Sequence, residues 1–323
     1  MKVVVLGAGA WGTALALVFA SRHNVGLWTW QAEHAQAMDS ARENCEFLPG
    51  HAFSDALTVG SDARQMLADA DLAIVATPMA GLRTTVDLIG GSLPFLWVCK
   101  GLEAGTGLLP HQVVGQTANA APCGALTGPS FAEEVAQGLP TAVTLASCDI
   151  GFATNMADAL HTSRLRIYAN DDIVGAEVGG AVKNVLAIAT GLCDGLGLGL
   201  NARAALMTRG LTEITRFGIA LGAKRETFMG LAGLGDMILT CTGDLSRNRR
   251  VGLALASGKP LETIQRELGH VAEGVMTARE VLRRATQLGV DMPITEAVCA
   301  VLDGRIKAAE TVERLMGRDT KAE

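Results

Sequence analysis

Seven short apolar runs punctuate the first half of the chain, at residues 2–6, 25–30, 72–76, 95–99, 124–127, 142–146 and 165–168. Several are unbroken aliphatic stretches, the pattern of parallel strands covered on both faces. Helical periodicity fills the intervals, for example at 13–21 and 63–70. This alternation predicts βαβ units and an α/β fold with a doubly wound, mostly parallel sheet. Near Asn170 the pattern changes. From Asp172 onward only helical periodicity broken by glycines remains, and Asn170-Asp171-Asp172 offers N-cap residues for a long helix from Ile173 to about Leu192. The expected organisation is a sheet domain over residues 1–171 and an all-helical domain over 172–323, with an active site in the cleft between them. The charged end, 311–323, reads as a solvated helix terminus.

The first strand adds chemistry to this picture. Val3-Val4-Val5-Leu6 runs directly into Gly7-Ala8-Gly9-Ala10-Trp11-Gly12, and an Ala-rich helix follows at once. A GxGxxG string between a strand and a helix is a dinucleotide fingerprint of Rossmann type. Gly7 permits the tight turn, Gly9 lets the backbone approach a pyrophosphate, and Gly12 lets the helix pack on the strand. The helix N-terminus offers N–H groups and a partial positive charge to phosphates. The bland alternative is an ordinary βα turn that binds no nucleotide.

Composition narrows the rest. Hydrophobic residues make up 49% of the 323 and charged residues 19%, which describes a packed globular chain long enough for two domains. The net charge of −6 gives no general attraction to nucleic acid or membrane, so an anionic substrate needs local cations. The seven cysteines form no CxxC pair and no Cys/His cluster, so no metal site is expected; they read as buried free thiols in a reducing compartment. The chain opens on a core strand instead of a signal segment, and no apolar run approaches the roughly eighteen residues of a membrane span. The expectation is a cytoplasmic protein without stable membrane insertion.

Two segments in the second half draw attention. In AEVGGAVKNVLAIATGL, helical spacing puts Gly180, Lys183, Asn184 and Ala187 on one face. A lysine among small apolar residues is either functional or snorkelling to the surface. Downstream, GLAGLGDMILTCTGDLSRNRR sets Asp236 in a Gly-rich turn and starts a helix at Ser246-Arg247-Asn248. A serine, a guanidinium and an amide at a helix N-terminus make a phosphate cradle. Arg249 and Arg250 oppose the helix dipole there, and a bound anion would explain them. In the first half, Lys100 ends one strand and Gly128-Pro129-Ser130-Phe131-Ala132 leads from another into a helix, both at the sheet edge where α/β proteins bind ligands.

Together, LGAGAWGTALA, KGLEAGTG, LTGPSFAEEVAQGLPTAV, GGAVKNVLAIATGLCDGLGLGLNARAALMTRG, GLAGLGDMILTCTGDLSRNRR and VAEGVMTA resemble, in this order, the bacterial NAD(P)-dependent glycerol-3-phosphate dehydrogenases. The resemblance spans nearly the whole chain. It implies reversible reduction of dihydroxyacetone phosphate to sn-glycerol 3-phosphate, the phospholipid backbone precursor, by a homodimer that needs no metal. It further implies Lys183 as acid/base, with Lys100, Gly128, Ser130, Asp236, Ser246, Arg247 and Asn248 around a small phosphorylated substrate; Asn184, next to Lys183, is a further candidate to hydrogen-bond the substrate's oxygens with Lys100. Ala10, Trp11, Lys100, Ala132, Arg247, Val271 and Glu273 would touch the cofactor.

One departure bears on cofactor choice. An NAD enzyme of this fold usually carries an acid at the end of the second strand, about 20 residues past the fingerprint. Here that place reads Trp28-Thr29-Trp30-Gln31, and the arginine of many family members is absent too. NAD and NADP both stay open, with a lean to NADPH from family habit; Trp30 either stacks on adenine or belongs to the core. The altered loop Asn44-Cys45-Glu46-Phe47-Leu48-Pro49 carries no assigned function. The competing readings are a related two-domain hydroxyacid or phosphosugar dehydrogenase, which would lack the SRNR and GLAGLGD segments, and a dinucleotide sensor without turnover.

Overall fold

A computed structural model describes residues 1–117, 120–268 and 273–311. The chain folds as two compact units: Met1–Lys100 with Leu108–Glu177, and Gly101–Gly107 with Val178–Glu323. The first carries the strands β1 (Lys2–Leu6), β2 (Asn24–Trp28), β3 (Leu57–Gly60), β4 (Leu72–Val75), β5 (Phe95–Trp97), β6 (Cys123–Thr127), β7 (Thr141–Ala146) and β8 (Leu165–Asn170). Its helices are α1 (Ala10–Phe19), α2 (Ala32–Ala41), α3 (Ala63–Leu67), α4 (Leu82–Ile89), α5 (Pro110–Val114), α6 (Ala132–Ala136) and α7 (Ile150–Leu160).

The strands form one sheet in the order β3-β2-β1-β4-β5-β6-β7-β8. All neighbours are parallel except β6 and β7, which run antiparallel through Ala125↔Ala146. Val3, Val4, Val5 and Leu6 are wholly buried, as a central strand covered on both faces requires. The order reverses direction at β1, so the carboxyl ends of β1, β4, β5 and β6 share one edge, the topological switch point of a doubly wound sheet.

The apolar pattern located seven of the eight strands. It missed β3, a four-residue edge strand with Thr58 and Gly60 partly exposed, too short and polar to show a period. It also extended β2 two residues too far. Pairing stops at Trp28, whose indole Nε1 donates to the Ser61 carbonyl at 2.9 Å, and Trp30 lies beyond the strand, 75% exposed. The core alternative for Trp30 is thereby removed. Likewise, only Cys193, Cys241 and Cys299 are buried; Cys45 and Cys148 are exposed, because they fall in loops.

The second unit is helical among its described residues. It takes in most of α8 (Ile173–Gly195), then α9 (Gly199–Ala220), α10 (Asp236–Thr242), α11 (Arg247–Ala256), α12 (Leu261–Leu268), α13 (Glu273–Gln287) and α14 (Pro293–Leu302). Asp172 caps α8 as the sequence suggests, accepting a bond from Gly175 N at 2.9 Å. By length and composition α8 passes for a membrane span, yet 94% of its apolar window is buried inside the protein, as befits a core helix. Gly252 lets α11 press against α8: a Cβ there would lie 2.1 Å from the Ile188 carbonyl oxygen.

Candidate active site

In the first unit, the fingerprint turn is built by subtraction of side chains. Gly7 has φ +128°, and a Cβ on it would meet the Ala76 backbone at 2.7 Å. A Cβ on Gly12 would fall 1.9 Å from the Gly7 carbonyl oxygen. Both glycines are thus demanded by the turn itself. Gly9 differs: a Cβ there would meet nothing within 4 Å, so the space over it is open. Gly9 also caps α1 without any side-chain hydrogen bond, and the first turn carries no acid. An uncapped helix start beside an open backbone fits a pyrophosphate. α1 begins at Ala10, three residues earlier than its periodicity predicts, because the turn feeds the helix directly.

The same sheet edge collects the other first-unit candidates. Lys100 lies three residues past β5 and is half-buried. Gly128 (φ +137°) follows β6 and crosses Val143 closely, and the Ser130 hydroxyl donates to the Gly128 carbonyl at 2.9 Å. Ala132 opens α6, and it packs with Ala10 and Trp11 on the buried trio Ala14, Leu48 and Val135. Three proposed cofactor contacts therefore share one apolar cluster.

In the second unit the key feature is charge. Lys183 is buried on α8, and its Nζ donates to the Asp236 carboxylate and, at 2.8 Å, to Thr240 Oγ1. Asp236, 1% exposed, is the first residue of α10, and a π-helical turn over Leu231–Gly235 leads into it. Thr240 stands one turn on; its hydroxyl donates to the Asp236 carbonyl at 2.7 Å, which leaves its lone pairs facing the lysine. The snorkelling alternative fails, since the side chain is buried and its Nζ is turned to Asp236 and Thr240 instead of the surface. Thr240 escaped the sequence reading, although its i+4 spacing from Asp236 was a usable signal. Burial pushes the adjacent Cys241 thiol up to about 12, so it stays neutral and takes no nucleophilic part.

Beside Lys183, Asn184 is 4% exposed and its amide makes no hydrogen bond among the described residues. Its backbone carbonyl lies against Gly274, on the first turn of α13, whose N–H donates to Asn248 Oδ1 at 3.1 Å. Asn184, Asn248 and Gly274 are thus neighbours, with Glu273 opening α13 one residue earlier. Ser246 caps α11 through Arg249 N at 3.3 Å. Arg247 is exposed and makes no ion pair among the described residues. Its neighbours need no external anion: Arg249 binds Asp194 at 2.8 Å and Asp244 at 2.9 Å, and Arg250 Nε donates to the Asp244 carbonyl at 2.9 Å. Internal acceptors, not a ligand, offset their unfavourable helix position. Val271 and most of the charged end, 312–323, lie outside the described residues. Among those described, no group of three or more His, Cys, Asp or Glu side chains is gathered.

A doubly wound sheet with a nucleotide turn, followed by a helical unit holding a buried lysine–carboxylate pair, defines a nicotinamide-dependent dehydrogenase. Family models for the N-terminus and the C-terminus of NAD-dependent glycerol-3-phosphate dehydrogenase match residues 2–153 and 172–313. The chain belongs to this family. It is 64% identical to a glycerol-3-phosphate dehydrogenase, NAD(P)+, of Dechloromonas aromatica, over all of this chain and 99% of that one. Identity to the protein of the same name from Aromatoleum aromaticum is 57%, with full coverage of both. The crystal structure of glycerol-3-phosphate dehydrogenase from Coxiella burnetii superposes with a TM-score of 0.94 at 41% identity, covering 98% of this chain and 99% of that one.

Proposed function

We propose that this chain reduces dihydroxyacetone phosphate reversibly to sn-glycerol 3-phosphate, with NADH or NADPH, and so supplies the glycerol backbone of phospholipids. The observation that carries the reading is the buried Lys183–Asp236–Thr240 cluster next to an amide, Asn184, that makes no hydrogen bond among the described residues. When bound, the reduced nicotinamide supplies a hydride to the substrate's carbonyl carbon. The oxygen then gathers negative charge. Lys183 as an ammonium stabilises that oxygen and gives it a proton; in the reverse direction its amine takes the proton back. Asp236 and Thr240 hold Nζ in place by accepting its N–H bonds, which positions the acid without consuming it. Lys100 and Asn184 serve as hydrogen-bond donors to substrate oxygens. Gly128, Ser130, Ser246, Arg247 and Asn248 hold the phosphate; Arg247 suits a planar two-pronged contact. Gly7, Gly9, Ala10, Trp11, Gly12, Trp30, Lys100, Ala132, Arg247 and Glu273 form the cofactor contacts, Trp30 by stacking on adenine from the segment just past β2.

The test is oxidation of NADH and of NADPH by purified protein with dihydroxyacetone phosphate. Turnover with either supports the reading, and the ratio of rates decides the cofactor at Trp30. No turnover with either, while hydroxyacid or phosphosugar substrates react, sinks it. A cytoplasmic homodimer is part of the same proposal; light scattering on the eluted protein should give twice the chain's mass of 33.5 kDa.

A further inference from the structure

We propose that Asn44 positions the fingerprint turn for pyrophosphate, a role that rests on the reading of that turn as a dinucleotide site. Asn44 is wholly buried, and all four of its hydrogen-bonding positions are used. Nδ2 donates to the Ala8 carbonyl at 2.9 Å and to Thr13 Oγ1 at 2.8 Å. Oδ1 accepts from Phe47 N at 3.2 Å and faces His34 Nε2 at 3.1 Å, which therefore carries a hydrogen. A carbonyl can only accept and a backbone N–H can only donate, so Ala8 and Phe47 together leave the amide one orientation.

The consequence lies in the Ala8–Gly9 peptide. No described peptide bond is cis, and in a trans peptide the C=O and N–H point opposite ways. Holding Ala8 O against buried Asn44 turns the Gly9 N–H outward. Thr13, the second partner, is the residue whose N–H closes the first helical bond to Gly9 O, at 2.9 Å. One side chain thus fixes both ends of the segment whose N–H groups meet a phosphate. The supporting loop is itself anchored. Glu43 bridges Ala52, Gly50 N donates to Glu43 at 2.8 Å, and Leu48 packs on Ala14 of α1. The loop left without a function on sequence grounds is the brace of the cofactor turn.

Asn44→Asp keeps the shape but replaces both donors with an acceptor aimed at Ala8 O. Dissociation constants for NADPH and for ADP-ribose, read by tryptophan fluorescence, should rise on the order of tenfold, the cost of a broken buried pair. In steady state the KM for dinucleotide should rise alike, with kcat at saturation and the KM for dihydroxyacetone phosphate within about twofold. Thr13→Val removes the second acceptor and should weaken both ligands by about threefold. A folded Asn44→Asp variant with unchanged dissociation constants overturns the proposal, as does a loss confined to kcat, the mark of a merely structural defect. If Asn44→Asp does not fold, Thr13→Val decides by the same measure. Wild-type protein that binds neither ligand overturns instead the dinucleotide reading of the turn, and this proposal with it.

Discussion

The fingerprint turn and the lysine cluster solve opposite problems. The turn in the first unit works through missing atoms: Gly7 and Gly12 clear the path for backbone, and open space stands over Gly9. The cluster in the second unit works through charge brought into the interior, with Lys183 and Asp236 drawn from helices 53 residues apart. Gly7 and Gly12 tolerate no added methyl, but the turn has no charge to lose. A buried ion pair tolerates isosteres in shape yet fails when one partner goes, because the other is left unpaired. Binding and chemistry should therefore be separable by mutation, each region failing in its own way.

The largest effect should come from Lys183→Ala. Loss of the proposed acid/base group should lower kcat by about 10²–10⁴-fold, while the dissociation constant for dinucleotide should stay within about threefold. A variant that lost both together would break the separation. Gly12→Ala is the converse. Its Cβ would stand 1.9 Å from the Gly7 carbonyl oxygen, so the turn must deform. Dinucleotide binding should fall by tenfold or more, roughly the 1–3 kcal/mol of an overpacked site, and urea unfolding should show a similar loss of stability. Smaller again is Thr240→Val, which keeps volume but removes one acceptor from Lys183 Nζ. It should lower kcat about tenfold with little change in either KM; an unaltered kcat would reduce the working cluster to Lys183 and Asp236 alone.

The contrast also explains what was legible in the sequence. The turn is local: strand, glycines and helix are consecutive, so periodicity and spacing revealed it, with Asp172 and Ser246 likewise readable as caps. What escaped depends on distant partners. Arg249 looked like part of an anion cradle until Asp194, 55 residues away, supplied its counter-charge. Asn44 had no assigned function because the Ala8 carbonyl it binds is 36 residues upstream. Trp30 was ambiguous for a different reason, since an apolar residue at a strand end belongs equally to core or rim until pairing shows where the strand stops. Local geometry was visible in the chain; the partners of buried polar groups were not.

Glu213 on α9 sharpens the comparison through the smallest effect. It is another buried carboxyl in the helical unit, 1% exposed, but backbone and hydroxyl donors satisfy it: Ile294 N at 2.9 Å, Thr295 N at 2.9 Å and Thr295 Oγ1 at 2.7 Å. It caps α14 from outside. Burial pushes its carboxyl above the ordinary 4.5, outweighing the bonds from Ile294 and Thr295 that pull it down. The native state therefore binds more protons than the unfolded chain between 4.5 and the raised value, and in that window stability falls as pH rises. Glu213→Gln removes the titration and turns one acceptor into a donor facing N–H groups, at a cost of about 1–3 kcal/mol. In urea melts the deficit of the variant should be greatest near pH 4.5 and should narrow towards neutrality, because only the wild type loses stability on the way. A deficit that widened with pH would mean that the helix N–H groups favour the ionised form more than burial opposes it. Glu213 would then be held as a charge by N–H and O–H donors with only the field of Arg216 to help, where Asp236 has the Lys183 side chain bonded to it.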